Sequence, residues 1–104
     1  MPSTWGLHRT AEGVHVDGEL DLASAEPFRE QLSAAVCEDT GKSFLIDLSG
    51  VTFMDSSGLR ALRKALDLGG GKDLIVQPSR QVFKLLQLTG LAGDLLPNVE
   101  VRSP

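Results

Sequence analysis

A carboxylate and two hydroxyls stand side by side in segment 55–58, which reads DSSG. The apolar stretch 44–48 and a short link, 49–54, precede this segment, and a run with helical spacing, 59–66, follows it. The segment is therefore predicted to lie where a buried strand passes into a helix. Backbone N–H groups are unpaired at the start of a helix and favour negative charge. Such a position suits a helix cap or a phosphate group.

Asp, Ser and Gly are common in turns and helix caps, but this segment carries more than a cap requires. Ser56 and Ser57 provide two adjacent hydroxyls, whereas one cap uses one side chain. No Glu or Gln lies three residues after either serine or after Asp55, so a capping box is not expected. The link 49–54 also contains apolar residues, which predicts a surface loop that packs against something.

Two classes of active site fit the sequence poorly. A serine nucleophile needs a neighbouring base, and the only imidazoles, His8 and His15, both lie in the predicted N-terminal hairpin. One cysteine, Cys37, and two histidines seven residues apart match no standard zinc spacing. We interpret the histidines as solvent-facing strand residues and Cys37 as a passive thiol near a helix end.

The glycine run 69–71 followed by Lys72 superficially resembles a phosphate-binding loop. In that motif a Ser or Thr follows the lysine and a helix begins there. Here Asp73 follows Lys72 and the next element is predicted to be a strand, so we interpret the run as a plain loop. The sequence predicts no bound cofactor and no metal ion.

Composition indicates one domain spanning residues 1–104, with a core over about residues 5–101. The net charge of -4 argues against nucleic-acid binding, which needs a concentrated basic face. Apolar runs fall well short of the roughly 20 residues that cross a bilayer, so direct membrane insertion is not expected. A single cysteine and an N-terminus without signal-peptide features predict a cytoplasmic protein.

Alternating apolar residues predict an N-terminal antiparallel hairpin, with strands around Trp5–Arg9 and Val14–Gly18 and a turn at 12–13. The unbroken apolar runs 44–48 and 74–76 predict central strands covered on both faces. A short edge strand is predicted around residues 99–101.

Three helices are predicted from residues with helical spacing. The first is expected to be capped by Ser24, with Pro27 in its first turn. The second covers 59–66, and the third is expected to begin after Ser79 and to end at Gly90, with Leu91 folding back on the helix. The element order ββαβαβαβ indicates an α/β fold with a mixed sheet of about four to five strands and three or more packed α-helices.

Three motifs in this order resemble the STAS family, specifically the bacterial anti-sigma-factor antagonists. Residues 44–59 are similar to the family's central signature, residues 16–21 (VDGELD) to its entry into the first helix, and residues 88–91 (LTGL) to the end of its third helix. The resemblance spans nearly the whole chain and implies a single STAS-type domain.

The resemblance also implies a function. Ser56 corresponds to the family's phosphoacceptor, with Ser57 as the second choice, and the kinase is an anti-sigma factor with a GHKL-type serine kinase domain. The unphosphorylated domain binds that kinase and releases the sigma factor, phosphorylation ends the binding, and a serine phosphatase resets it. Asp21, Asp55 and Gly58 are expected at the partner surface beside the serines. Such a domain is not an enzyme itself.

Physical reasoning adds a condition to this expectation. The Ser56 hydroxyl must be exposed at a rigid strand-to-helix junction, segment 55–58, which we call the corner. The free N–H groups of the helix are expected to accept the added phosphate without unfolding the domain. Two other functions stay open: a cytoplasmic STAS subunit or regulatory module of a membrane transport complex, and a nucleotide-binding sensor. The sequence leaves the oligomeric state open.

Overall fold

The structure is a computed structural model that describes residues 4–91 and 97–104, so the first three residues, which bear on the expected lack of a signal peptide, lie outside it. Five strands form one sheet in the order β1-β2-β3-β4-β5, with β1 antiparallel to β2 and all other neighbours parallel. The strands are β1 Trp5–Arg9, β2 Gly13–Leu20, β3 Ser43–Met54, β4 Asp73–Pro78 and β5 Val99–Val101. The helices are α1 Leu22–Glu38, α2 Ser56–Leu66 and α3 Arg80–Leu88, with a short 3-10 turn at Asp67–Gly69.

This architecture confirms the predicted fold class, including the N-terminal hairpin and the edge strand. The hydrophobic core lies on one side of the sheet, where alternate strand residues such as Val14, Ile46 and Val76 are fully buried in adjacent strands. The helices bury side chains in the same cluster, among them Phe28, Leu62 and Leu86.

The prediction that the central strands are covered on both faces is wrong. Leu45 and Ile75 alternate with the buried residues and are only partly buried. They pair in register across β3 and β4, so each apolar side chain shields the other on the face away from the helices. An unbroken apolar run thus arises here without a second helical layer in the part of the chain that the structure describes.

The link 49–54 is not a loop but the second half of β3. The strand continues because β2 is long enough to pair with it as far as Leu20 and Met54. Val51 and Met54 point into the core, whereas Phe53 is 48% exposed. Val51 and Met54 are three residues apart, and both are buried because the pairing with β2 shifts register between Gly18 and Glu19.

The first helix begins earlier than predicted, and its cap is Asp21 rather than Ser24. The Asp21 carboxylate accepts hydrogen bonds from the backbone N–H groups of Ala23 and Ser24, and the Ser24 hydroxyl accepts one from the Asp21 N–H. This reciprocal capping box lies immediately after β2. Pro27 consequently lies in the second turn, where it removes one helical hydrogen bond.

The third helix begins and ends as predicted. The Ser79 hydroxyl caps its N-terminus, and Gly90 adopts the left-handed conformation that ends it, with φ +76°. The Leu91 N–H donates to the Leu86 carbonyl at 2.7 Å, and the Gly90 N–H donates to the Gln87 carbonyl at 3.1 Å. These two bonds are those of a Schellman motif.

A small polar cluster lies on the face of the sheet away from the helices. His8 is exposed as predicted, but His15 is partly buried, with Nδ1 3.1 Å from Asp47 Oδ2. Burial alone would raise the pKa of Asp47. The hydrogen bonds from Ser49 and His15, together with the imidazole charge, outweigh burial and hold that pKa below its ordinary value.

Replacing this carboxylate should flatten the acid dependence of stability. A lowered pKa in the folded state means that ionised Asp47 stabilises the fold above its unfolded pKa of about 3.9 and that this contribution is lost as pH falls through the folded pKa. We expect Asp47→Asn to lose less unfolding free energy than the wild type between about pH 5 and pH 2, in urea titrations at a series of pH values. Asp73→Asn, at an exposed position, controls for removing one carboxylate; equal losses in the wild type and Asp47→Asn would contradict the assignment.

Candidate functional site

The candidate site lies at the edge of the sheet where β2 and β3 end side by side. Leu20 and Met54, the last residues of these parallel strands, pair in register, and each strand is followed at once by an aspartate that caps a helix. The Asp55 N–H also donates to the Leu20 carbonyl at 3.3 Å. The structure therefore brings Asp21 and segment 55–58 to one edge, as the sequence predicted.

Asp55 occupies the N-terminus of α2 with its own carboxylate. Oδ1 accepts hydrogen bonds from the N–H groups of Ser57 at 2.9 Å and Gly58 at 3.1 Å, and the Leu59 N–H donates to the Asp55 carbonyl at 3.0 Å. The expectation that these N–H groups are free to accept a phosphate is therefore wrong. Asp55 takes them because it directly precedes the first helical residue, the position from which a short acidic side chain reaches them.

The two serine hydroxyls open into different grooves. Ser56 is exposed and borders a groove of about 460 Å³ along α2. Ser57 is partly buried and borders a groove of about 200 Å³ between α1 and α2. Asp55, rather than either hydroxyl, provides the cap. Ser56 thus has the more accessible side chain of the two serines, in a first helical turn that is fixed by hydrogen bonds to Asp55.

Gly58 is buried at the point where α2 meets the end of β2. A Cβ at this position would collide with the Leu20 carbonyl oxygen and would lie 2.9 Å from Met54 Cγ and 3.1 Å from Leu20 Cβ. The sequence predicted that Gly58 permits close approach of another backbone, and the structure places the chain's own β2 there. The expectation that Gly58 lies at the partner surface is therefore wrong, because this glycine is buried and holds α2 against β2.

Asp21 is partly buried, and its Oδ1 is used by the capping bonds of α1. The next residue, Leu22, is 78% exposed, and Phe53 is exposed on the neighbouring strand end. Sequence analysis missed Leu22 as a surface feature. The available signal was that Leu22, an apolar residue, is the first residue of α1. No helical turn precedes it, so its side chain has no earlier turn to pack against. These two residues add exposed apolar surface near the acidic caps in sequence.

The described residues do not form a serine–histidine catalytic pair or a metal site at this edge. The ring nitrogens of His8 and His15 contact Asp17 and Asp47 on the face of the sheet away from the helices. Among the described residues, neither histidine lies within hydrogen-bond distance of Ser56 or Ser57. Within residues 4–91 and 97–104, no group of three or more His, Cys, Asp or Glu side chains could hold a metal ion. Over the same residues, no helix has the length and apolar character needed to span a membrane.

A family model described as the STAS domain matches residues 9–101, nearly the whole chain. The chain belongs to the STAS domain family. An anti-sigma F factor antagonist of Lysinibacillus sphaericus is 32% identical over 90 residues, which cover 84% of this chain and 77% of that protein. The motifs at 16–21, 44–59 and 88–91 therefore identified the family correctly.

Solved structures of related proteins agree with this membership. The crystal structure of an anti-sigma factor antagonist from Mycobacterium paratuberculosis is 28% identical, with a TM-score of 0.73 over 93% of this chain and 84% of that one. The structure of the Bacillus cell fate determinant SpoIIAA in its phosphorylated form is 25% identical, with a TM-score of 0.60 over 96% of this chain and 92% of that one.

The contact between α2 and β2 should make Gly58 intolerant of a side chain. We expect Gly58→Ala to lower the free energy of unfolding by about 1–3 kcal/mol, because the added methyl group collides with the Leu20 backbone. Urea denaturation measures this change. Gly71→Ala is the matched control, since a Cβ there meets nothing within 4 Å; similar stabilities of the two variants would contradict the packing argument.

Proposed function

We propose that this STAS domain is an anti-sigma-factor antagonist whose partner affinity is switched by phosphorylation of Ser56. Unphosphorylated, it binds an anti-sigma factor with a GHKL-type serine kinase domain, and the sigma factor is released. This function places the domain in the cytoplasm. The observation that carries the proposal is the exposed Ser56 hydroxyl at the first position of α2. The names of its relatives, anti-sigma factor antagonists, support it.

The domain acts here as a substrate rather than as an enzyme. The Ser56 oxygen attacks the γ-phosphorus of ATP, the bond from that phosphorus to the β-phosphate oxygen breaks, and the hydroxyl proton passes to a base of the kinase. The products are phosphoserine and ADP. Because phosphoryl transfer depends on positioning and charge stabilisation, the kinase can supply ATP, magnesium and base. A serine phosphatase then hydrolyses the phosphoserine with water and restores the hydroxyl.

A rigid corner suits this role because the hydroxyl is presented in one geometry. The carboxylate of Asp55 fixes the first turn of α2, and buried Gly58 holds that turn against β2. We place the contact surface for the kinase on Asp21, Asp55, Ser56 and Ser57, together with the exposed apolar side chains of Leu22 and Phe53. Gly58 supports this surface from beneath.

Phosphorylation would end binding through charge at this surface. A phosphoserine carries about 1.5–2 negative charges at neutral pH. Unpaired charge in a formed interface costs on the order of 2–5 kcal/mol, and each 1.4 kcal/mol is about a tenfold change in affinity. Release therefore needs no rearrangement of the domain.

Substitutions at Ser56 test the proposal directly. We expect Ser56→Ala to bind the kinase with wild-type affinity and to take up no phosphate, because only the acceptor oxygen is lost. Ser56→Asp should bind at least about tenfold more weakly, because it introduces charge. Calorimetry measures affinity, and mass spectrometry after incubation with kinase and ATP measures phosphate. Ser57→Ala is the matched control and should still be phosphorylated; phosphate on Ser56→Ala would transfer the role to Ser57.

The charge of Asp21 can be tested separately from its capping role. Asn is about as good a helix cap as Asp, so Asp21→Asn should preserve the start of α1 and the free energy of unfolding. If the carboxylate faces the kinase, the variant's affinity or its rate of phosphorylation should change severalfold. Unchanged values for both would remove Asp21 from the partner surface.

A further inference from the structure

The groove beside Ser56 carries more positive than negative charge, although the chain as a whole carries a net charge of -4. Its lining consists of Ser56, Leu59, Arg60, Arg63, Lys64 and Asp67, all from α2 and the turn that follows. Three cations, Arg60, Arg63 and Lys64, thus share this groove with Ser56 and with one carboxylate, that of Asp67. This concentration of positive charge is not used by the capping bonds described above.

The usual anion position at the start of α2 is unfavourable for a phosphate on Ser56. The N–H groups of Ser57 and Gly58 already donate to Asp55 Oδ1. The Asp55 carboxylate would also repel a second anion placed on the helix axis. The groove that Ser56 borders, with its three cations, is the adjacent surface better suited to the added charge.

Arg60 lies four residues after Ser56, so the two side chains stand on the same face one turn apart. Helical side chains lean toward the N-terminus, which carries the Arg60 guanidinium over the turn that holds Ser56. Arg63 lies nearly one turn further along and leans over Arg60 rather than over Ser56. In the described part of the chain, Arg60 makes no ion pair and no side-chain hydrogen bond within the standard distances.

Of the other cations near the serines, Arg29 is compensated by a carboxylate. It forms an ion pair with Glu26 on the same helix, α1, and both residues border the groove that contains Ser57. The hydrogen bond from Arg29 and, to a smaller extent, the charge of Lys64 lower the pKa of Glu26, although slight burial opposes this. Lys64 also borders the groove that contains Glu26, as does Arg60. Arg60 is the cation with both the reach and the unused donors.

We propose that the Arg60 guanidinium binds the phosphate of phosphorylated Ser56 within the same chain. The planar guanidinium presents paired N–H donors that match two phosphate oxygens, an arrangement that lysine cannot reproduce. This inference rests on the proposed phosphorylation of Ser56, but it does not depend on which kinase performs it. Arg60 would hold the phosphate of Ser56 on the exposed face of α2 rather than over the helix axis.

The test places phosphoserine at position 56 during protein synthesis, so that no kinase is needed. Phosphorus NMR then follows the titration of the phosphate, whose second pKa is about 6 when unperturbed. A bound guanidinium favours the dianion and lowers this pKa. We expect Arg60→Ala to raise the phosphate pKa by about 0.5 pH units relative to the unsubstituted phosphoprotein.

Arg63→Ala is the matched control, because it removes an equal charge from the same groove and the same helix. It should shift the phosphate pKa by less than about 0.2 pH units, and Arg60→Lys should fall between the wild type and Arg60→Ala. Equal shifts for Arg60→Ala and Arg63→Ala, or no shift for Arg60→Ala, would overturn the proposal. Circular dichroism of each variant establishes that α2 is intact.

The two proposals fail in different ways. Absence of phosphate on Ser56 after incubation with kinase and ATP would contradict the proposed function and leave the NMR result unaffected. A normal kinase reaction together with an unshifted phosphate pKa in Arg60→Ala would contradict only the role of Arg60.

Discussion

The start of α2 lies directly against the backbone of Leu20, and the candidate site depends on this contact. Gly58 permits it because any side chain there would meet the Leu20 carbonyl. The Asp55 N–H binds the same carbonyl, so the end of β2 and the junction between β3 and α2 form one unit. Because β2 passes at once into α1, Asp21 belongs to that unit as well. The position of Ser56 is therefore set by two strands and two helices rather than by a loop.

Acidic caps give this corner its electrostatic character. Asp21 and Asp55 each take backbone N–H groups that could otherwise have bound an incoming anion. A phosphate added beside them would remain on the surface, next to the basic side of α2, and would alter what a partner meets there. The domain can thus serve as a switch while its core and its sheet stay unchanged, since the charge enters no buried space.

Much of this structure was predictable because local signals agreed with the fold. The Schellman ending at Gly90 and Leu91 and the cap at Ser79 depend on neighbouring residues only, and both were confirmed. The second half of β3 was missed because its strand character comes from pairing with β2, which no local pattern reveals. The cap of α1 was misplaced for a similar reason, since it depends on where β2 ends. At the site, the motif indicated Ser56, whose role stays a prediction, and the use of the N–H groups by Asp55 required coordinates.

The central claim is that phosphorylation changes the charge of a rigid corner and not its structure. Amide hydrogen exchange, measured residue by residue by NMR on the phosphorylated and unphosphorylated protein, tests it most directly. The account predicts that Gly58, Leu59 and the buried amides of β2 and α1 keep their exchange rates to within about threefold after phosphorylation. Rates that rise by about tenfold or more across β2 and α1 would show that the corner opens, and would contradict the account.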